Sequence, residues 1–141
     1  MRRLDDRTFV SGQIAPEDIA GLAAQGITTI INNRPDGEAP GQPLAAEIEA
    51  AAREAGLAYA HIPVADGLSP GQVQAMAEAL YAAEGGVLAF CTSGTRSTYL
   101  WALARARQGA DADELIRQAA EAGYDLRPIA PYLNSIRSSR A

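Results

Sequence analysis

Residues 87–97 read VLAFCTSGTRS, and this stretch indicates the fold more directly than any other part of the chain. Four consecutive apolar residues are typical of a short strand that is buried on both faces of a sheet. A loop of small residues begins directly after this strand, with Cys91 at its first position and Arg96 where a helix is expected to start. The stretch therefore predicts a strand, a tight loop and a helix N-terminus in succession.

The segments on either side continue an alternation of strands and helices. Strands are predicted at 8–10, 27–32, 57–62 and 87–90. Helices are predicted to begin at Pro16, at Leu44, at Ser69, after the loop that follows Cys91, at Asp111 and at Pro128, and the tail 138–141 is predicted to fray. This order favours βαβ units, and it predicts a single α/β domain over residues 1–141 with a mostly parallel sheet of four or five strands between two layers of helices.

Three predicted loops follow the carboxyl ends of predicted strands. They cover residues 33–38, 64–68 and 91–96. Ligands of open α/β sheets bind beyond the carboxyl ends of the strands. We therefore expect these three loops to form one site.

The composition narrows the classes of protein that fit. Of the 141 residues, 48% are hydrophobic and 21% are charged, which is typical of a globular domain. No apolar run approaches the roughly 20 residues of a membrane-spanning helix. The net charge of −5 disfavours a nucleic-acid-binding protein. We expect neither a membrane nor a nucleic acid as partner.

The inventory of catalytic groups is short. All 12 basic residues are arginine, so lysine chemistry is excluded. His61 is the single histidine and Cys91 the single cysteine, which excludes a multi-histidine metal site, a disulfide framework and a cysteine-rich zinc site. No apolar stretch follows the first basic residues, so we expect no secretory signal and a cytoplasmic location.

The loop at Cys91 has the residues that a reactive thiol needs. A thiolate at a helix N-terminus is stabilised by the helix dipole and by unpaired N–H groups, which lower its pKa. Small residues allow successive N–H groups to turn inward around an anion, and Arg96 offers a planar pair of donors to an oxyanion. The sequence thus predicts covalent cysteine chemistry on a small anionic substrate, with binding positions at Thr92, Ser93, Gly94, Thr95 and Ser97.

Three stretches resemble the core of the dual-specificity, cysteine-based phosphatases: residues 27–34, 59–66 and 87–97. The chain resembles more closely a small bacterial family, the phosphatase-like domain of beta-lactamase hydrolase-like proteins, which is also labelled as a family of sulfur transferases. The matching stretches are 11–14, 31–38, 91–97 and 122–126. The resemblance implies a phosphatase-like α/β fold. In some members this domain is fused to a metallo-hydrolase domain that handles persulfides, so a separate enzyme of that kind is a possible partner.

The loop also departs from the phosphatase pattern, in which a His-Cys pair is followed by five residues and then by Arg. Here Phe90 precedes Cys91, and four residues separate Cys91 from Arg96. A Cys-x-x-Gly-x-Arg loop resembles the active loop of rhodanese-type sulfurtransferases. The shorter loop favours a sulfurtransferase in which a persulfide forms on Cys91, Arg96 binds thiosulfate or a small persulfide, and no cofactor is required.

Two alternatives stay open. The first is a cysteine-based phosphatase in which Cys91 attacks phosphorus, Arg96 binds the phosphoryl oxygens and Asp66 protonates the leaving group. The second is a non-catalytic module that binds anions or another protein.

Other polar residues have both a functional and a structural interpretation. Asp66 precedes Gly67, so it is also an ordinary turn former. Arg34 and Asp36 either position the substrate or pair with each other. Ser97 either donates to the Cys91 thiolate or caps the helix, and His61 is interpreted as structural.

Overall fold

The structure is a computed structural model that describes residues 1–139 and the side chains of residues 1–137. The described part forms one five-stranded sheet with helices on both faces. The last helix ends at Ser139, inside the tail that is predicted to fray. Residues 140 and 141, which complete that tail, lie outside the described residues.

The sheet confirms the predicted mostly parallel arrangement. Its strands are β1 (Arg2–Arg3), β2 (Thr8–Ser11), β3 (Ile27–Asn32), β4 (Ala58–His61) and β5 (Gly86–Phe90), in the order β1-β2-β5-β3-β4. Strand β1 pairs antiparallel with β2, whereas β2, β5, β3 and β4 are mutually parallel. Strand β1 was not predicted, because two exposed arginines at a sheet edge show no apolar alternation.

The helices begin close to their predicted positions. They are α1 (Ile19–Ala24), α2 (Ala45–Glu54), α3 (Pro70–Ala82), α4 (Thr95–Arg107), α5 (Ala112–Glu121) and α6 (Ala130–Ser139). The segments predicted to open helices at Pro16 and Pro128 are 3-10 turns, Pro16–Asp18 and Arg127–Ile129, each of which leads directly into an α-helix. Short 3-10 turns of this kind are frequent at helix N-termini.

Strand β5 separates two apolar clusters. Val87 and Ala89 pack in the cluster that contains the buried faces of α3, α4, α5 and α6. Leu88 and Phe90 pack in the other cluster, with residues of α1 and α2. Because successive side chains of a strand point to opposite faces, a strand covered on both faces is apolar at every position. The three-layer prediction is therefore confirmed.

Helix α4 is the central helix of its layer and fixes the position of the loop before it. It contacts α3, α5 and α6, and eight of its residues are buried. Trp101 is completely buried, and its Nε1 donates to Asp5 Oδ2 at 2.9 Å. This packing places the N-terminus of α4 at the carboxyl end of β5. In residues 1–139, no helix is both long and apolar enough to span a bilayer.

Candidate active site

Four loops meet at the carboxyl edge of the parallel strands. Gly12, after β2, lies against the Cys91 loop so closely that a Cβ atom there would be 2.8 Å from the carbonyl oxygen of Thr92. Arg96, after β5, donates from Nη1 to the carbonyl of Val64, after β4, at 2.6 Å. Arg34, after β3, donates to Gln13 Oε1 at 3.0 Å. The structure therefore brings the three predicted loops together and adds the loop after β2.

Cys91 is the first residue after β5 and has no exposed surface. The backbone N–H of Gly94 donates to its Sγ at 3.1 Å. Burial alone raises the pKa of the thiol, but the polar groups around the sulfur outweigh it, namely the backbone and hydroxyl of Ser97 and the N–H groups of Ser93 and Gly94. The net result is a pKa below that of an ordinary cysteine, which is the condition for a nucleophilic thiolate.

Ser97 lies in the first turn of α4, directly beyond Arg96, and is completely buried. Its Oγ forms no hydrogen bond of ordinary geometry among the described residues, yet it is near enough to lower the pKa of Cys91. A buried hydroxyl without a partner is costly. The hydroxyl forms no capping hydrogen bond among the described residues, so donation to the thiolate stays the prediction for Ser97.

The loop between Cys91 and α4 turns at Gly94, whose φ of +92° lies in the left-handed region that favours glycine. Thr98 binds the carbonyl of Gly94 through both its N–H, at 2.9 Å, and its hydroxyl, at 2.8 Å. Tyr124 donates from its hydroxyl to the carbonyl of Ser93 at 3.0 Å. These contacts hold the turn in a shape that directs the Gly94 N–H towards the sulfur.

Arg96 is held at the mouth of the site by a network of acceptors. Glu38 accepts two hydrogen bonds from it, from Nη1 at 2.8 Å and from Nη2 at 2.9 Å. Thr92 Oγ1 accepts a further one from Nη2 at 2.7 Å. Hydrogen bonds and charge attraction from Glu38 raise the pKa of Arg96, and the nearby Cys91 contributes in the same direction. The guanidinium is therefore a permanent positive charge beside the thiol.

Arg34 is nearly buried and pairs with Glu38, not with Asp36. Its Nε donates to Glu38 Oε1 at 3.0 Å. Asp36 Oδ1 instead accepts the N–H of Ala45 at 2.7 Å and so holds the first turn of α2. Of the two interpretations of Arg34 and Asp36, pairing with each other is wrong, because Asp36 contacts α2 and Glu38 is the partner of Arg34. A role of Arg34 in positioning the substrate stays a prediction.

A broad groove of about 1260 Å³ opens beside Arg96. Its walls come from the loop after β4, from α3, from one side of α4 and from α6, with Leu68, Tyr99, Leu103 and Ile129 among its apolar residues. Cys91 does not line the groove. Among the described residues, no group of three or more His, Cys, Asp or Glu side chains is placed to hold a metal ion.

The site lies in a chain with clear relatives. Residues 1–108 match the family described as beta-lactamase hydrolase-like protein, phosphatase-like domain. The chain belongs to this family. A beta-lactamase hydrolase-like protein of Xylella fastidiosa is 39% identical over 125 residues, which are 87% of this chain and 29% of that protein. The chain therefore spans less than a third of the length of this relative.

Solved structures support the same classification of the phosphatase-like domain. The crystal structure of a candidate phosphatase from Neisseria meningitidis is 36% identical, with a TM-score of 0.81 and coverage of 96% of this chain and 97% of that one. TpbA of P. aeruginosa is 20% identical, with a TM-score of 0.66 and coverage of 98% and 88%, so this likeness shows the fold alone. The phosphatase-like fold is thus confirmed, and the comparisons support the phosphatase interpretation better than sulfur transfer.

Asp66 and His61 lie at the rim of this phosphatase-like domain. Asp66 is exposed in the loop after β4, and its carboxylate forms no hydrogen bond or ion pair among the described residues. His61 closes β4, and its Nε2 donates to the carbonyl of Arg34 at 3.0 Å. The structure therefore brings Arg34, Cys91 and Arg96 together, whereas Asp66 contacts none of them.

Three residues at the site were not predicted from the sequence: Glu38, Gln13 and Tyr124. All three stand in stretches that resemble the family, at 31–38, 11–14 and 122–126. Glu38 is a carboxylate four residues after Arg34, and this spacing is the one local signal that could have predicted their ion pair. The contacts of Gln13 and Tyr124 join segments that are distant in sequence, so no local pattern could predict them.

Proposed function

We propose that this phosphatase-like domain is a cysteine-dependent enzyme, that Cys91 forms a covalent intermediate with a small anionic substrate, and that the reaction is hydrolysis of a phosphate monoester. The observation that carries the proposal is the Cys91 thiol at the end of β5, with N–H donors from its own loop and a lowered pKa. The family description and the 36% identical candidate phosphatase support the reaction.

In the proposed reaction the Cys91 thiolate attacks phosphorus, and the bond between phosphorus and the leaving oxygen breaks. Arg96 and the N–H groups of the loop bind the phosphoryl oxygens, where negative charge is concentrated in the transition state. Asp66 donates the proton that the leaving oxygen takes up. Water then attacks the phosphocysteine, which releases inorganic phosphate and restores the thiol. Asp66 is exposed and contacts neither Cys91 nor Arg96. Its loop must therefore move towards the substrate for this step.

Sulfur transfer is the second candidate, and the length of the loop favours it. With four residues between Cys91 and Arg96, the loop has one residue fewer than the phosphatase pattern, and a single sulfur atom needs less space than a phosphoryl group. In this reaction Cys91 attacks the sulfane sulfur of thiosulfate, sulfite leaves, and a persulfide remains on Cys91. An acceptor thiol or cyanide then takes up the sulfur. This reaction requires no general acid, because sulfite leaves without a proton. It therefore agrees with the lack of contact between Asp66 and the other site residues.

Paired turnover assays separate the two candidates. One assay measures phosphate release from an aryl phosphate, and the other measures thiocyanate formed from thiosulfate or glutathione persulfide and cyanide. The proposal predicts turnover of the phosphate ester by the wild type and none by Cys91→Ala. Turnover only with the sulfur donors would contradict the phosphatase proposal and support sulfur transfer. If neither assay shows turnover and the wild type and Cys91→Ala bind sulfate equally well, both enzyme hypotheses are wrong. The non-catalytic anion-binding module is then the remaining interpretation.

The domain boundaries, the location and the partners of the protein remain predictions from the sequence. These are the single domain over 1–141, the cytoplasmic location, the absence of membrane and nucleic-acid partners, and a separate persulfide-handling metallo-hydrolase as partner. The partner fits the second candidate, because that class of enzyme consumes persulfides. Co-purification with such an enzyme, reduced by Cys91→Ala, would support it.

A further inference from the structure

The carboxylate of Glu38 lies where an oxyanion would bind Arg96. Oε2 accepts from Nη1 at 2.8 Å and Oε1 accepts from Nη2 at 2.9 Å, so the carboxylate spans both terminal nitrogens. This two-point geometry is the one by which arginine recognises carboxylate and phosphate groups. The two residues come from different loops, those after β3 and β5. Glu38 therefore imitates a bound anion.

The donors of Arg96 are almost fully used in this arrangement. Its two terminal nitrogens carry four of the five N–H groups of a guanidinium, and four acceptors surround them. Two are the oxygens of Glu38, and the others are the carbonyl of Val64 and Oγ1 of Thr92. A substrate oxyanion cannot form a two-point contact with these nitrogens while Glu38 keeps its position.

Further contacts make Glu38 a strong occupant. Its Oε1 also accepts from Arg34 Nε at 3.0 Å and from Thr92 Oγ1 at 3.4 Å. Arg34 is only 9% exposed, so this pair is shielded from solvent more than a surface ion pair. Hydrogen bonds from Arg96, and then from Arg34, lower the pKa of Glu38 to about 2. The carboxylate is therefore charged at any physiological pH.

The charges at the site have a consequence for substrates. Two guanidinium groups and one carboxylate leave a single net positive charge, and a thiolate on Cys91 cancels it. Without the carboxylate, the same site would keep one positive charge beside the thiolate. Cys91 also has no exposed surface, so a substrate reaches its sulfur only after groups around it have moved. Release of Glu38 from Arg96 would both free the donors and raise the positive charge.

We propose that Glu38 is a built-in competitor for the oxyanion position of Arg96, which a substrate must displace, and that it thereby selects for anions that bind arginine more strongly than a carboxylate does. Tetrahedral oxyanions with two negative charges are the class that meets this requirement. The inference rests on the proposed role of Arg96 as the anion-binding group. It differs from a positioning role for Glu38, in which the carboxylate would hold Arg96 ready and assist the substrate.

Binding of inorganic tungstate tests the proposal without any turnover. Glu38→Gln removes the charge and keeps the shape, and we expect it to lower the dissociation constant by about tenfold or more, since one unit of charge at contact distance is removed. Glu49→Gln, which removes the same charge from an exposed pair on α2, is the matched control and should bind as the wild type does. In the double variant Glu38→Gln/Arg96→Ala, the gain should disappear.

A dissociation constant for folded Glu38→Gln that equals or exceeds that of the wild type would overturn the proposal and favour the positioning role. Thermal unfolding establishes that each variant is folded. A crystal structure of the wild type with tungstate gives a second result that needs no variant. We expect Glu38 to be turned away from Arg96 where tungstate binds, and tungstate bound elsewhere, or beside an intact Glu38–Arg96 pair, would contradict this.

This experiment can fail independently of the proposed function. If Glu38→Gln binds tungstate more tightly but the wild type shows no phosphatase turnover, the competitor role of Glu38 is supported and the phosphatase proposal is contradicted. If phosphatase turnover depends on Cys91 but Glu38→Gln binds tungstate more weakly, the phosphatase proposal is supported and the competitor role of Glu38 is contradicted.

Discussion

Tyr124 lies directly over Gly94 in the turn that surrounds the sulfur. Its hydroxyl donates to the carbonyl of Ser93 at 3.0 Å, and a Cβ atom on Gly94 would be 2.2 Å from that hydroxyl. Residue 94 must therefore be glycine for two reasons, its left-handed backbone and the close approach of Tyr124. The segment after α5 thus controls the shape of a loop that begins 33 residues earlier along the chain.

The Gly94→Ala substitution tests this contact. The left-handed backbone costs an alanine about 1–2 kcal/mol, and displacement of Tyr124 adds to the loss. We expect a lower free energy of unfolding in urea and a higher pKa of Cys91, because the Gly94 N–H turns away from the sulfur. In a Tyr124→Phe background the same substitution should cost less. An equal cost in both backgrounds would show that the Tyr124 hydroxyl does not restrict the turn.

Ser97→Ala tests the role of the buried hydroxyl. Removal of a donor to the thiolate raises the pKa of Cys91, so alkylation by iodoacetamide should require a higher pH. Since Cys91 is the single cysteine, intact mass measures this reaction directly. Ser135→Ala, an exposed serine on α6, is the matched control. Identical pH profiles for Ser97→Ala and the wild type would mean that the hydroxyl does not stabilise the thiolate.

Asp66→Asn separates the two candidate reactions. If Asp66 is the general acid of a phosphatase, its loss should lower kcat for phosphate esters by about 10²–10⁴-fold. Persulfide formation on Cys91 should change little, because sulfite leaves without a proton. Asp113→Asn, an exposed aspartate in the first turn of α5, controls for the loss of charge. Unchanged phosphate-ester turnover in Asp66→Asn would remove Asp66 from the mechanism.

The low pKa of Glu38 predicts a specific loss of stability in acid. The pKa is about 2 in the folded chain against an ordinary value of 4.5, so the folded state binds this proton less tightly than the unfolded state does. The stabilisation is complete above about pH 4.5 and is lost as the pH falls towards 2. Glu38→Gln should flatten the dependence of the unfolding free energy on pH in this window. A slope equal to that of the wild type would show that other carboxylates, such as Asp5, cause it.

Much of the fold could be predicted from local patterns. The apolar run before Cys91 identified β5, because a strand buried on both faces leaves no alternation. Ser69, Pro70 and Gln72 identified the start of α3, and the structure shows the reciprocal hydrogen bonds between Ser69 and Gln72. Strand β1 could not be predicted, since its two arginines form a strand only through pairing with β2.

The site could be predicted only in part. The sequence indicated Cys91 and Arg96, because the strand, the small residues and the helix start stand next to each other in the chain. The partner of Arg96 could not be predicted, because Glu38 lies 58 residues away and approaches only when β3 and β5 are adjacent in the sheet. Asp36 was the nearer acid in the sequence, yet its position in the turn leads it to α2.

Both candidate reactions require that Cys91 forms a covalent bond with the group that is transferred. Intact-protein mass spectrometry without reductant tests it most directly, after brief exposure of wild type and Cys91→Ala to an aryl phosphate, to thiosulfate and to glutathione persulfide. We expect an adduct on the wild type only. Its mass should be that of one phosphoryl group from the ester or, for the second candidate, of one sulfur atom that cyanide removes. No adduct from any donor while the Cys91 thiol remains alkylatable, or an equal adduct on Cys91→Ala, would contradict it.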